Sequence, residues 1–386
     1  MPRFPDIAQS AQAVKGSVYS GLSKRPASGV APVPLHIGDT WMEPAVGCRM
    51  QDLTVDDHPG MHRYSPVPGY PALRDRIAEL VGERSGVPVE RGQVLVTGGA
   101  TAGLAAVVGA LVSPGEEVLL VAPHWPLIAG SIRAFGACPV DVPMMTGIET
   151  AEDAVARLEA HRSGRTVAVY WNTPHNPTGR LIPRDWLEAM SAWARKHRLW
   201  IFSDEVYEDY VYSGEHVHTR ALSPDNTMSV HSFSKAYGMA GNRCGYLVGP
   251  DEAIDAVKRI MTNINYSACS ASQLAALNAL NGAAGDWVAE ARAAYAGLGR
   301  DAAAALNLAA PQGSTFLFPD VSKALAERHP TVGLGGLLGE LAEAGVLVAP
   351  GPSFGPYPHH VRVCFTSAPP DQIRRGVEIL AAALEP

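Results

Sequence analysis

Lys235 lies in the segment SFSK (232–235), directly after a strand-like run at 228–232. A lysine at the end of a buried strand is desolvated enough to lose its proton yet stays reachable. Condensation with a carbonyl to form a Schiff base needs both properties. The plain alternative is a surface lysine, but the preceding run and the flanking Ser232 and Ser234 do not read as surface. Asp204 follows a second apolar run, 199–203. A carboxylate in that place needs a partner, either a structural cation or a cationic ligand. The segment TGGATAG (97–103) follows a run at 94–97 and opens a helical stretch. Small residues there let backbone N–H groups approach a phosphate, although most Gly-rich turns bind nothing. Ser232 and Arg243 add a hydroxyl and a cation to such a phosphate site. The segment NTPHNPTG (172–179) follows a run at 166–171 and reads first as a turn, since Asn-Pro and Thr-Gly are turn formers. The set offers a nucleophilic amine, an anion for a pyridinium-like ring and a phosphate cradle, the three parts that a lysine-bound heteroaromatic aldehyde requires.

The elements that must position these residues have an α/β pattern. Short runs rich in Val, Ile and Leu stand at 94–97, 117–122, 166–171, 199–203, 228–232 and 244–248, with helix-length stretches between most of them. This alternation predicts a mostly parallel central sheet flanked by helices. Ligands of such sheets bind at the carboxyl ends of the strands, where the polar clusters collect. Leu73, Ile77, Leu80 and Val81 predict a helix ended by Gly86, and Trp186, Leu187, Met190, Trp193 and Ala194 mark another helical face. From about residue 286 the pattern changes to an Ala-rich helix, strand-like pieces at 315–318 and 361–365, and a last helix bearing Ile373, Val377, Leu380 and Leu384. We read residues 1–45 as an extended arm that joins the small domain, 46–285 as the large domain, and 286–386 as a smaller α+β domain.

Composition narrows the function further. The chain of 386 residues is 47% hydrophobic and 18% charged, which suits a large globular core. A net charge of −7 and the lack of a long Lys/Arg run speak against nucleic acid as a partner. Apolar runs such as 104–108 are too short to span a bilayer. The opening MPRFPDIAQSAQAVKG has no apolar core, and the five scattered cysteines suit reduced thiols, so a cytoplasmic protein is expected. No H-E-x-x-H segment supports a metal site. Gly351-Pro352-Ser353-Phe354-Gly355 matches the hydrolase elbow G-x-S-x-G, but Pro356 and Pro358 block the helix that must follow. GLGGLLG (333–339) fails the spacing of a dinucleotide-binding turn.

A series of motifs then carries a family resemblance over nearly the whole chain. These are LHIGD (35–39), RYSPVPGYPALR (63–74), GGAT (98–101), PHW (123–125), HNPTG (175–179), DEVY (204–207), SFSK (232–235), GNRCG (241–245), PGPSFG (350–355) and VRV (361–363). Each is weak alone; in this order the chain resembles the class I/II aminotransferases of the fold-type I pyridoxal-phosphate (PLP) enzymes. The resemblance implies an enzyme that moves an amino group from an α-amino acid to a 2-oxo acid, with PLP held as a Schiff base on Lys235. By the same resemblance Asp204 pairs with the ring nitrogen, Asn176 and Tyr207 bond the phenolic oxygen, and Trp125 stacks on the ring. Gly99, Ala100, Thr101, Ser232, Ser234 and Arg243 hold the phosphate, and Tyr64 reaches it from the other subunit of a homodimer with shared active sites. Gly38, Asn176 and Arg362 bind the substrate α-carboxylate, the arginine as a fork. The motifs leave open another PLP reaction on the same fold, such as β-elimination at a C–S bond. A DNA-binding PLP regulator is not expected, because residues 1–45 lack the length and the helices for a reading domain.

The resemblance also bears on the substrate. Aspartate-using relatives can carry a lysine in the glycine-rich turn, where this chain has Thr101, and there is no Lys or Arg from Thr97 to Pro126. An α-amino acid without a side-chain carboxylate is therefore the expected donor, unless Arg25 or Arg49 enters the site. GDTW (38–41) replaces the usual G-x-P, and we expect Trp41 to project toward the substrate and to form a flat apolar wall with Trp125.

Overall fold

The computed structural model describes residues 7–14 and 31–385. Seven strands form the main sheet: β1 (Val94–Thr97), β2 (Glu117–Ala122), β3 (Cys138–Pro143), β4 (Thr166–Asn172), β5 (Trp200–Asp204), β6 (Thr227–Ser232) and β7 (Gly245–Val248). Their order is β1-β7-β6-β5-β4-β2-β3. All neighbours are parallel except β7, which runs against both β1 and β6. Six of the seven were legible as apolar runs. The seventh, β3 (CPVDVP), carries two prolines and a charge, which only an edge strand tolerates, and it lies at the end of the sheet.

Strand alternation divides the core into two layers. Val118, Leu120, Ala168, Tyr170 and Phe202 pack on one face with the helices Ala100–Leu111 and Asp251–Asn265. Leu119, Val121, Val169, Trp171 and Ile201 pack on the other with the helices Ala151–His161 and Arg184–Lys196. The period of two matters beyond packing: Asp204 continues the face of Tyr170 and Phe202, whereas Glu205 continues that of Ser203. The expected helix ended by Gly86 is Pro71–Ser85, and Gly86 closes it in the left-handed conformation at φ 69°.

A second sheet, β8 (Phe316–Leu317), β9 (Ala349–Pro350) and β10 (Val361–Cys364), is antiparallel in the order β8-β10-β9. The helices Trp287–Ala305 and Pro370–Leu384 cover it. Val33 and Leu35 enter this core, Val33 bridges to Val346, and the Cys364 amide donates to the Leu35 carbonyl at 2.7 Å. This part of the expected arm thus packs on the small sheet; residues 15–30 of it lie outside the described residues. No helix among the described residues is long and apolar enough to cross a membrane.

Candidate active site

The carboxyl ends of β4, β5 and β6 and the start of the reversed strand β7 meet around a cavity of about 250 Å³. Asp204 is the last residue of β5. Ser232 ends β6, and its Oγ accepts the Ser234 amide at 3.1 Å, so the chain turns at once into the short helix that carries Lys235. Because β7 runs backwards, Arg243 and Gly245 come back beside the first turn of the helix Ala100–Leu111. Two glycines permit that approach. A Cβ on Gly99, which has φ 85°, would stand 2.5 Å from an Arg243 guanidinium nitrogen, and one on Gly245 would stand 2.8 Å from the Ala100 amide.

The cavity brings together Gly38, Ala100, Thr101, Trp125, Asn176, Asp204, Tyr207, Ser232, Ser234, Lys235, Arg243 and Arg362. Gly99 stands one residue behind, under the Arg243 guanidinium. Tyr64 is not among the lining residues; it is 87% exposed, with its ring 4.9 Å from that of Tyr266. Trp41 is a correction: it packs against the core of the small sheet instead of lining the cavity. Tyr295, whose hydroxyl accepts the Met42 amide at 3.3 Å, holds the chain just beyond it. Arg49 bonds the Pro44 carbonyl at 2.7 Å and does not line the cavity, and Arg25 lies outside the described residues.

Several lining residues were not singled out from the sequence. Ile37, Leu104, Val206, Ala240 and Phe316 supply apolar wall. Phe316 was legible only as part of the strand-like piece 315–318. Asn172 works from behind: its amide donates to the Asp204 carbonyl at 2.6 Å, and its oxygen accepts the Asn176 amide at 2.5 Å, tying the 172–179 turn to the end of β5.

Electrostatics give the site its character. Burial holds the Lys235 amine below the usual lysine range, partly opposed by Asp39, and its Nζ donates to the Gly38 carbonyl. Burial pushes the Asp204 carboxyl up to about 6. Its Oδ2 accepts the Tyr170 hydroxyl at 2.7 Å, and the Val206 amide stands 3.4 Å from Oδ1. Among the described residues no Lys or Arg forms a salt bridge with Asp204. Arg362, on β10, is almost fully buried; its guanidinium lies over the Phe316 ring at 4.2 Å and the Phe354 ring at 4.8 Å. It donates to Asn176 Oδ1 at 3.0 Å and to the His36 carbonyl at 2.7 Å. Burial, aided by the Arg362 charge, holds His36 near 4.

These residues fit PLP on physical grounds. Three cationic side chains and one carboxylate face a single cavity, so an anionic ligand balances it. The buried carboxylate lacks a cation, the lysine is desolvated, and the Gly99 cradle lies under an arginine at a helix start.

Known proteins similar to this chain show its family. The family described as aminotransferase class I and II matches residues 38–380. A probable aspartate/prephenate aminotransferase of Thermus aquaticus is 31% identical over 336 residues, covering 84% of this chain and 85% of the relative. An arginine–pyruvate transaminase of Pseudomonas aeruginosa is 40% identical over 195 residues, about half of each chain (50% and 49%). The solved structure of aspartate aminotransferase from Thermus thermophilus with maleate superposes with a TM-score of 0.87 at 28% identity, over 98% of this chain and 100% of that one. The chain belongs to the class I and II aminotransferase family. It is a PLP-dependent aminotransferase of the α/β fold anticipated from its sequence, acting on amino and 2-oxo acids. The relatives named here are transaminases, which favours amino transfer over the C–S elimination that the motifs left open.

Proposed function

We propose that the cavity residues divide the transamination among themselves as the motif order implies. Lys235 would hold the cofactor covalently and, as a free amine, would take and return the proton at the substrate α-carbon. Its lowered proton affinity supports that role. When bound, PLP supplies an electron sink for the charge that develops at the α-carbon. Asp204 faces the ring nitrogen, Asn176 and Tyr207 the phenolic oxygen, and Trp125 the ring face. Gly99, Ala100, Thr101, Ser232, Ser234 and Arg243 surround the phosphate. Arg362 takes the α-carboxylate as a two-pronged donor beside Gly38, with the Phe316 and Phe354 rings packed against its guanidinium.

We also propose a homodimer in the cytoplasm, with Tyr64 completing the partner's phosphate site. The high exposure of this large aromatic supports a covered role. The division into an arm (1–45), a large domain (46–285) and a small domain (286–386) is proposed on the same footing. The two separate sheets support it.

The preferred donor is an α-amino acid whose side chain is not a carboxylate. One observation carries this reading: Lys235, Arg243 and Arg362 are the cationic side chains lining the cavity among the described residues, and each already has a role. A second buried carboxylate without a cation is costly. Ile37, Leu104, Val206 and Phe316 offer apolar contact instead. The relatives' names do not agree on a side chain, one being for aspartate/prephenate and one for arginine. The test compares kcat/KM for aspartate, glutamate, phenylalanine, leucine and methionine with one keto acid. We expect a non-acidic donor to lead. A lead of more than about tenfold for aspartate or glutamate, about 1.4 kcal/mol of transition-state binding, overturns the reading.

A further inference from the structure

Tyr170 is fully buried under the cavity floor and does not line it. It sits on β4 in the layer of Leu120 and Phe202, and strand alternation aims it at the same side as Asp204 on the neighbouring strand. Its hydroxyl donates to Asp204 Oδ2 at 2.7 Å. Among the described residues it is the one side chain that hydrogen-bonds this carboxylate; the other contact is the longer Val206 amide. A buried carboxylate with so few donors is free to rotate and to take up a proton, and both would spoil an anion meant for a ring nitrogen.

We propose that Tyr170 is a positioning residue for PLP: its hydroxyl fixes the Asp204 carboxylate and keeps it an anion that can face the ring nitrogen. The proposal rests on Asp204 being the partner of that nitrogen. Other groups around Asp204 act more weakly. From β6, His231 favours the anion, but its ring nitrogens already meet Glu208 at 2.8 Å and Ser229 at 3.1 Å. Glu205, the next residue, opposes the anion. Tyr207, Lys235, Arg243 and Arg362 share the cavity.

The readout is the affinity of the apoenzyme for PLP as a function of pH. The bound pair keeps one proton between carboxylate and ring nitrogen. Below the pH at which free Asp204 protonates, both partners arrive protonated, one proton must leave, and affinity falls about tenfold per pH unit. In the wild type this break is expected near pH 6. Tyr170→Phe removes a donor to a charged acceptor and should move the break up by about one pH unit, with kcat lowered more than KM is changed. Replacement of Tyr170 by 3-fluorotyrosine, a stronger donor of nearly the same shape, should move it down and supplies the test if the Phe variant does not fold. A break that stays in place in the Phe variant with kcat within twofold, or one that stays in place with fluorotyrosine, overturns the proposal. Asp204→Asn separates the two layers of the argument: a variant with the wild-type pH profile shows that Asp204 is not the ring partner, and the reading beneath fails.

Discussion

Asp204 and Glu205 are adjacent, both are buried, and their surroundings treat them in opposite ways. Glu205 Oε1 accepts the Ser203 hydroxyl at 2.8 Å and the Thr219 amide at 3.1 Å, and Oε2 meets His218 at 2.8 Å and His216 at 3.3 Å. Although burial opposes ionisation, these two imidazoles hold Glu205 well below the usual carboxylate range, and the Glu205 bond raises His218 despite its own burial. Asp204 has one side-chain donor and no salt bridge, so burial prevails and its pKa rises. One step along the chain reverses the direction of the side chain, from the face of Tyr170 and the cavity to the face of Trp171, which itself bonds Thr219 at 3.1 Å. The lesson is that burial alone does not tell these two carboxylates apart. The count of donors does: Glu205 is complete within the protein, and Asp204 is left short of a cation that a ligand can bring.

Replacing each carboxylate should therefore break different things. Asp204→Asn should keep a native circular dichroism spectrum and lower kcat by on the order of a thousandfold, the scale of losing one preorganised electrostatic partner. A folded Asn variant with near-normal kcat would make Asp204 structural. Glu205→Ala removes the carboxylate that His216 and His218 share, leaving His218 with Glu208 at 3.5 Å, and should cost about 3–5 kcal/mol of stability in denaturant titration. An Ala variant as stable as the wild type would remove the contrast.

A smaller effect sharpens the same comparison through pH. Folded Asp204 has a pKa of about 6 against an ordinary value of 3.8, so folding takes up a proton between those values. Its contribution is neutral below about pH 4, turns unfavourable as pH rises through the window, and is constant above it. The stability of the Asp204→Asn apoenzyme relative to wild type should then grow between pH 4 and 7, by on the order of 3 kcal/mol. For Glu205→Gln the sign reverses: the wild-type advantage is present above the ordinary value of 4.5 and fades as pH falls below it. Parallel pH trends for the two variants would contradict the assignment.

Much of this was legible in the sequence because the cavity is built from short contiguous motifs at strand ends. Lys235, Asp204 and the 97–103 turn each follow a run whose hydrophobicity announces a buried strand, and Arg243 directly precedes one. The apolar wall was less visible. Ile37, Leu104, Val206 and Phe316 reach the cavity from four separate segments, and nothing in an isolated apolar residue says which surface it lines. Tyr170 was hidden within a continuous apolar run, where its hydroxyl looks like one more aromatic core position until the register with β5 is known. Trp41 misled for the converse reason: proximity in sequence to Gly38 suggested the cavity, but the chain turns and sets the indole against the core of the small sheet.

The central claim, that this cavity holds PLP on Lys235, meets its most direct test in borohydride reduction of the holoenzyme followed by peptide mass spectrometry. The account predicts the reduced cofactor mass on the peptide containing Lys235, and its loss in Lys235→Ala while the variant still binds PLP reversibly. The cofactor mass on a different lysine, or on none, would contradict it.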